Sequence, residues 1–104
     1  MNVAVLDIGS NTTKILITAK GPDGALQVIA EKSYPCRLAT GLSRDNPALS
    51  SVMIDSCLQV IAQLLSFAEP FSPVATRIVA TEALRKLSNS NSLIEKARSR
   101  FALN

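Results

Sequence analysis

Residues 7–14, Asp7-Ile8-Gly9-Ser10-Asn11-Thr12-Thr13-Lys14, gather the side chains best suited to handling a phosphorylated ligand. Gly9 admits backbone angles closed to other residues. Ser10, Asn11, Thr12 and Thr13 are small and polar, and successive main-chain N–H groups in a turn can form a concave anion site. Asp7 could hold a divalent cation through water, because Mg²⁺ gives up its hydration reluctantly. Lys14 offers a point charge for phosphate. Together these types suggest a grip on the phosphates of a metal-bound polyanion. They are also ordinary turn residues, so a plain hairpin fits the same stretch. The segment is not a Walker loop, since no Gly-Lys-Ser/Thr follows at the required spacing. Nor is it a dinucleotide fingerprint, which needs a glycine triplet opening a helix.

The elements that must position this turn are short apolar runs. Val3-Ala4-Val5-Leu6 precedes it and Ile15-Leu16-Ile17 follows, both aliphatic and rich in β-branched residues. They predict strands over residues 2–8 and 14–20. Gly21-Pro22-Asp23-Gly24 is a turn signal, and a third strand is expected over 26–33, ending before Pro35. These three form an antiparallel meander. Residues 35–47 read as a loop. A helix is expected over 51–68, with Ser50 as its N-cap. Ile54, Cys57, Leu58, Ile61, Leu64 and Leu65 recur at helical spacing and form its core face. Pro70 and Pro73 end it. A fourth strand over 76–80 follows this crossover and is expected to run parallel to an earlier one. A short helix over 83–87 is broken by a polar run, and a last helix covers 93–101. Ser92-Leu93-Ile94-Glu95 matches a capping box, with Asn89 as the alternative cap.

Composition narrows the function classes. The chain has 104 residues, enough for one domain with a modest core. It is 47% hydrophobic and 18% charged, apolar enough that some surface is expected to meet another domain or chain. The net charge of +3 weakly favours an anionic partner. Basic residues are scattered and aromatics few, which argues against a nucleic-acid stacking platform. The apolar stretches read as too short to cross a membrane, and Asp7 interrupts any signal-peptide core. A cytoplasmic protein is therefore expected. With no histidine in the chain, His-based triads, zinc sites and proton shuttles are excluded from it. Cys36 and Cys57 have neither metal-ligand nor redox spacing. Free thiols are the expectation, with Cys57 an inert member of the core stripe.

A family resemblance enters with two motifs. Residues 7–14 look like the first phosphate loop of the actin, sugar-kinase and heat-shock-chaperone ATPase superfamily. The run Arg77-Ile78-Val79-Ala80-Thr81-Glu82-Ala83-Leu84-Arg85-Lys86-Leu87-Ser88-Asn89 resembles the exopolyphosphatase / guanosine pentaphosphate phosphohydrolase family more narrowly. Its members carry a strand followed by Ala-Thr-x-Ala-x-Arg-x-x-x-Asn. Arg37-Leu38-Ala39-Thr40-Gly41-Leu42 resembles the family's loop before the long helix. The resemblance covers essentially the whole chain, in order. It implies an α/β fold in which the meander, crossover helix and parallel strand make up half of a ribonuclease-H-like, actin-type ATPase domain.

The activity implied is hydrolysis of a phosphoanhydride. The substrate would be inorganic polyphosphate or guanosine pentaphosphate, with positioning and charge neutralisation carrying most of the catalysis. By position, Gly9, Ser10, Asn11 and Thr12 would cradle phosphate, and Asp7 would face Mg²⁺ and its waters. Arg85 would be a second phosphate contact; a surface helix arginine is the alternative. Lys14 stands where relatives often have arginine, which keeps the charge and loses the bidentate fork. Glu82 is accounted for by the helix dipole. The family's water-activating glutamate and second glycine-rich phosphate loop are expected beyond residue 104. The chain would then be an N-terminal portion with little activity alone, prone to self-association through an unpaired strand edge. The alternatives are a non-catalytic anion-binding or partner-docking module, or a phosphotransferase using ATP.

Overall fold

The structure is a computed structural model and describes residues 1–9, 11–36, 51–81 and 90–101. Four strands form one sheet in the order β3-β2-β1-β4. They are β1 (Asn2–Ile8), β2 (Thr12–Lys20), β3 (Leu26–Pro35) and β4 (Ala75–Ala80). Helix α1 (Ser51–Ala68) crosses from the meander to β4, and α2 (Ser90–Phe101) follows. β1 pairs antiparallel with β2 and parallel with β4, as the crossover helix requires.

Alternation along β1 and β2 sets the two faces of the sheet. Ala4, Leu6 and Ile8, with Thr13, Ile15 and Ile17, are fully buried on one face. Ile54, Cys57, Leu58, Ile61, Leu64 and Ala68 of α1 cover that face, and Leu93 and Ala97 of α2 join the same core. A fully buried aliphatic side chain of this kind contributes about 1.5–3 kcal/mol, so the helix–sheet contact dominates cohesion. The register places Val5 and Asp7 of β1 on the opposite face, level with Leu16 and Lys14 of β2 and with Arg77 and Val79 of β4. Beyond Ala68 the chain tightens into a 3₁₀ turn, Glu69–Phe71, carrying Pro70. Asn2 Nδ2 then donates to the Phe71 carbonyl at 2.7 Å, and the Val74 N–H donates to the Asn2 carbonyl at 2.8 Å. These two bonds bring the entry of β4 alongside the start of β1.

Four features differ from the sequence-based expectation. β2 begins at Thr12 rather than 14, because the turn is tighter than its polar composition suggests. β3 runs through Tyr34 to Pro35; it is an outer strand, where a proline's missing donor is tolerated. A register shift near Ile17 leaves Ile29 as an extra residue in β3, a bulge of the kind common at sheet edges. The last helix begins at Ser90, which puts Ser92 inside it and rules out Ser92-Leu93-Ile94-Glu95 as its capping box.

The length expectation for α1 also needs correction. Ser51–Phe71 is long and apolar enough to cross a membrane by length and composition, since its polar residues are mostly uncharged. Here it packs one face on the sheet as a core helix. The expected loop beyond Cys36, the Ser50 cap, the short helix over 83–87 and the alternative cap Asn89 lie outside the described residues.

Candidate functional site

The turn between β1 and β2 closes through one main-chain bond: the Gly9 N–H donates to the Thr12 carbonyl at 3.0 Å. Gly9 is buried, and a Cβ added to it would stand 2.7 Å from that same carbonyl oxygen. The obstacle is backbone, so it cannot swing aside. Glycine is needed here for room, and its amide is spent inside the hairpin. In this structure the Gly9 N–H is engaged within the hairpin.

Asn11, Thr12 and Lys14 are exposed at and beyond the tip, and Asp7 is half-buried. Asp7 pairs across the ladder with Lys14 on one side and Val79 on the other. Directly opposed residues lie roughly 5 Å apart at Cβ, so acid and base share one face of the sheet. No ion pair joins them among the described residues. Ser10 and Arg85, the remaining expected phosphate contacts, lie outside the described residues.

The parallel pairing of β1 with β4 decides where this turn sits. Ile8 is level with Ala80, so both strands end together. The Thr81 N–H donates to the Ile8 carbonyl at 3.1 Å, and its Cγ2 would lie 3.6 Å from a Cβ placed on Gly9. Open α/β sheets bind ligands outside the carboxyl ends of parallel strands, and the turn occupies that place. Sequence reasoning placed Thr81 in a motif without giving it a role. The available signal was its position immediately after a strand parallel to β1.

Beneath the turn lies a small sulfur cluster. The Thr13 side chain points into the core rather than toward the tip, and its Oγ1 lies 2.9 Å from the Cys36 Sγ. The Cys36 N–H donates to the Asn11 carbonyl at 2.8 Å, which ties the end of β3 to the turn. The Cys36 and Cys57 sulfurs are hydrogen-bonded at 3.6 Å. The hydrogen bond shared with Cys57 lowers the Cys36 thiol to about 7, with Thr13 adding to the effect against the opposing cost of burial. Cys57 is pushed up, chiefly by the same bond and then by burial. Its core position was expected from helical spacing; its contact with Cys36 was not.

The described residues hold no group of three or more His, Cys, Asp or Glu able to bind a metal. Asp7 is a single carboxylate. That donor set suits a hydrated Mg²⁺ shared with a ligand's phosphates rather than a protein-made cage.

Comparison with known proteins places this arrangement. The model of the Ppx/GppA phosphatase family matches residues 16–104. Two guanosine-5'-triphosphate,3'-diphosphate pyrophosphatases, from Vibrio campbellii and Vibrio parahaemolyticus, are 32% and 33% identical to the chain. Each alignment takes in 90% of this chain and 18% of the relative. The crystal structure of the Aquifex aeolicus Ppx/GppA family member superposes with a TM-score of 0.83 at 28% identity, covering 99% of this chain and 33% of that one. An exopolyphosphatase from Cytophaga hutchinsonii superposes at 0.84 with 20% identity, over 100% of this chain and 33% of that one. That last likeness speaks for the fold. The chain thus spans 18% of the length of the curated relatives it matches.

Proposed function

This chain belongs to the Ppx/GppA phosphatase family, and from that premise we propose that it is the phosphate-gripping N-terminal portion of a phosphoanhydride hydrolase. Its substrate is inorganic polyphosphate or guanosine pentaphosphate, and the bond broken is to a terminal phosphate. The reading is supported by the names of the two Vibrio relatives and by the actin-like ATPase fold shared with the family's solved structures. The observation that carries it is the placement of the Gly9-to-Thr12 turn at the joint carboxyl ends of β1 and β4, with Asp7 and Lys14 on one face beside it.

Each residue has a part in this proposal. The tip around Ser10, Asn11 and Thr12 supplies amides and hydroxyls to phosphate oxygens. Lys14 neutralises phosphate charge without the directional fork an arginine has. Arg85, five residues beyond the end of β4, adds a second positive contact. Asp7 holds the waters of a divalent cation, which when bound offsets the negative charge of the phosphate chain. Positioning and charge neutralisation carry most of phosphoryl-transfer catalysis. In this proposal the group that activates water, typically worth ~10²–10⁴-fold, is not among these 104 residues. These 104 residues alone have little activity. β4 ends the sheet with Val79 44% exposed, and the outer strand β3 shows Leu26 and Val28. These edges favour self-association. The site of action is the cytoplasm.

Titration of the chain with pyrophosphate and Mg²⁺, followed by amide NMR, tests the grip. Perturbation of the Asn11, Thr12 and Lys14 amides is expected, with little change at the Asp23 turn. Unmoved amides at the first turn would falsify the phosphate reading. Phosphate release from long polyphosphate by this chain, at rates typical of full-length enzymes, would remove the need for residues outside it. Sedimentation as a strict monomer at high concentration would remove the self-association.

A further inference from the structure

We propose that Cys36 and Cys57 form a redox-active dithiol, which a peroxide closes into an intramolecular disulfide beneath the phosphate turn. Geometry carries this, independently of the phosphate reading. These are the two cysteines of the chain. They lie 21 residues apart in sequence, one at the end of β3 and one on α1, yet their sulfurs stand 3.6 Å apart. That is contact distance for two thiols, and a closing movement of about 1.5 Å reaches the disulfide bond length. Cys36 is half-buried and so open to a small oxidant, whereas Cys57 is fully buried.

The two sulfurs are chemically unequal, and this sets the order of steps. Thr13 from β2 and Cys57 from α1 face Cys36 and can both donate to its sulfur once it ionises. The thiolate is the reactive form, and these donors favour it at Cys36. The Cys36 thiolate attacks one peroxide oxygen; the O–O bond breaks, the other oxygen leaves as hydroxide or alkoxide and takes up the proton Cys36 released, giving water or an alcohol, and Cys36 becomes a sulfenic acid. The Cys57 sulfur then attacks the sulfenic sulfur. The S–O bond breaks, and the Cys57 proton leaves with the hydroxyl as water. In sum two thiols lose two electrons and two protons to one peroxide. A small dithiol such as dithiothreitol reverses the change by exchange.

The cluster reaches the turn through two contacts, the Cys36 N–H on the Asn11 carbonyl and the Cys36 Sγ on Thr13 Oγ1. Closing the disulfide draws the Cys36 sulfur toward α1 and alters its contact with Thr13. A shift of the Asn11 and Thr13 amides therefore accompanies oxidation.

The test treats the 104-residue chain with hydrogen peroxide, blocks remaining thiols by alkylation and measures intact mass. The expected product is a single chain lighter by two hydrogens and unalkylated. Digestion should give a peptide pair linked through Cys36 and Cys57, and dithiothreitol should restore both thiols. In Cys57→Ala, which keeps the core apolar, Cys36 should instead accumulate as a sulfenic acid trapped by dimedone, or link two chains. Over-oxidation of Cys36 with Cys57 still free in the unaltered chain overturns the proposal. So does a cross-link between chains, or no thiol loss under conditions that oxidise free cysteine. The mass measurement on the unaltered chain decides the matter even if the variant fails to fold. Because it needs no anion, it is separate from the pyrophosphate titration.

Discussion

The β1–β2 turn and the β2–β3 turn are made from similar residues, glycine beside small polar or acidic neighbours, at opposite ends of β2. The second turn satisfies itself. Gly21 N–H donates to the Ala25 carbonyl at 2.8 Å, Gly24 N–H to the Gly21 carbonyl at 2.9 Å, and Ala25 N–H to Asp23 Oδ1 at 3.1 Å. It is largely exposed and takes its shape from Gly24 at φ 85. The first turn has a bond of its own, Gly9 N–H on the Thr12 carbonyl, and is also held from outside itself. Cys36 fastens the Asn11 carbonyl, and Thr81 stands against Gly9 beside the end of β4. The second turn spends its groups on itself, as a connector does; the first is also positioned by neighbouring strands, with an acid and a base on the flanking face, which makes it the candidate site.

Substitutions in the two turns probe this contrast, in falling order of effect. Gly9→Val places side-chain carbon against the Thr12 carbonyl, with no flexible group to yield. We expect a loss of about 3 kcal/mol, seen as a lower urea midpoint, together with loss of pyrophosphate binding. Lys14→Ala, exposed and outside the core, should leave the urea midpoint unchanged. It should weaken pyrophosphate in the presence of Mg²⁺ about tenfold by calorimetry, or ~1.4 kcal/mol. Lys20→Ala, at the other end of the same strand, should leave affinity as it was; equal losses from the two lysines would mean nonspecific charge attraction.

Gly24→Ala forces a side chain into the left-handed region at a cost of about 1 kcal/mol. It should lower the urea midpoint modestly and leave anion affinity untouched. Asp23→Ala removes one exposed hydrogen bond. Its expected cost is about 0.5 kcal/mol, near the limit of a denaturation curve. Either of these last two changing the anion affinity by more than about twofold, or ~0.4 kcal/mol, would erase the distinction between the turns.

Much of the architecture could be read along the chain because its signals are local. The alternation in β1, the helical stripe Ile54, Cys57, Leu58, Ile61 and Leu64, and the Gly21-to-Gly24 turn each follow from neighbours a few residues away. α1 spans the expected residues, and β4 lies parallel to an earlier strand as its crossover demands. Boundaries failed where a distant partner intervened. Pro35 stays in β3 because that strand is outermost, and Ser92 is helical although its sequence resembles a cap.

The site divides in the same way. Residue types in the first turn raised the expectation of a phosphate ligand, and the order of elements announced an α/β sheet, because both depend on short stretches of covalent neighbours. Their meeting did not follow from those stretches. The pairing of β1 with β4 aligned two strand ends, the Thr12 carbonyl took up the Gly9 N–H within the hairpin, and Cys36 met Cys57 across 21 residues. Contacts of that kind depend on how a sheet and a helix close over one core, and no local pattern of side chains encodes the distance between them.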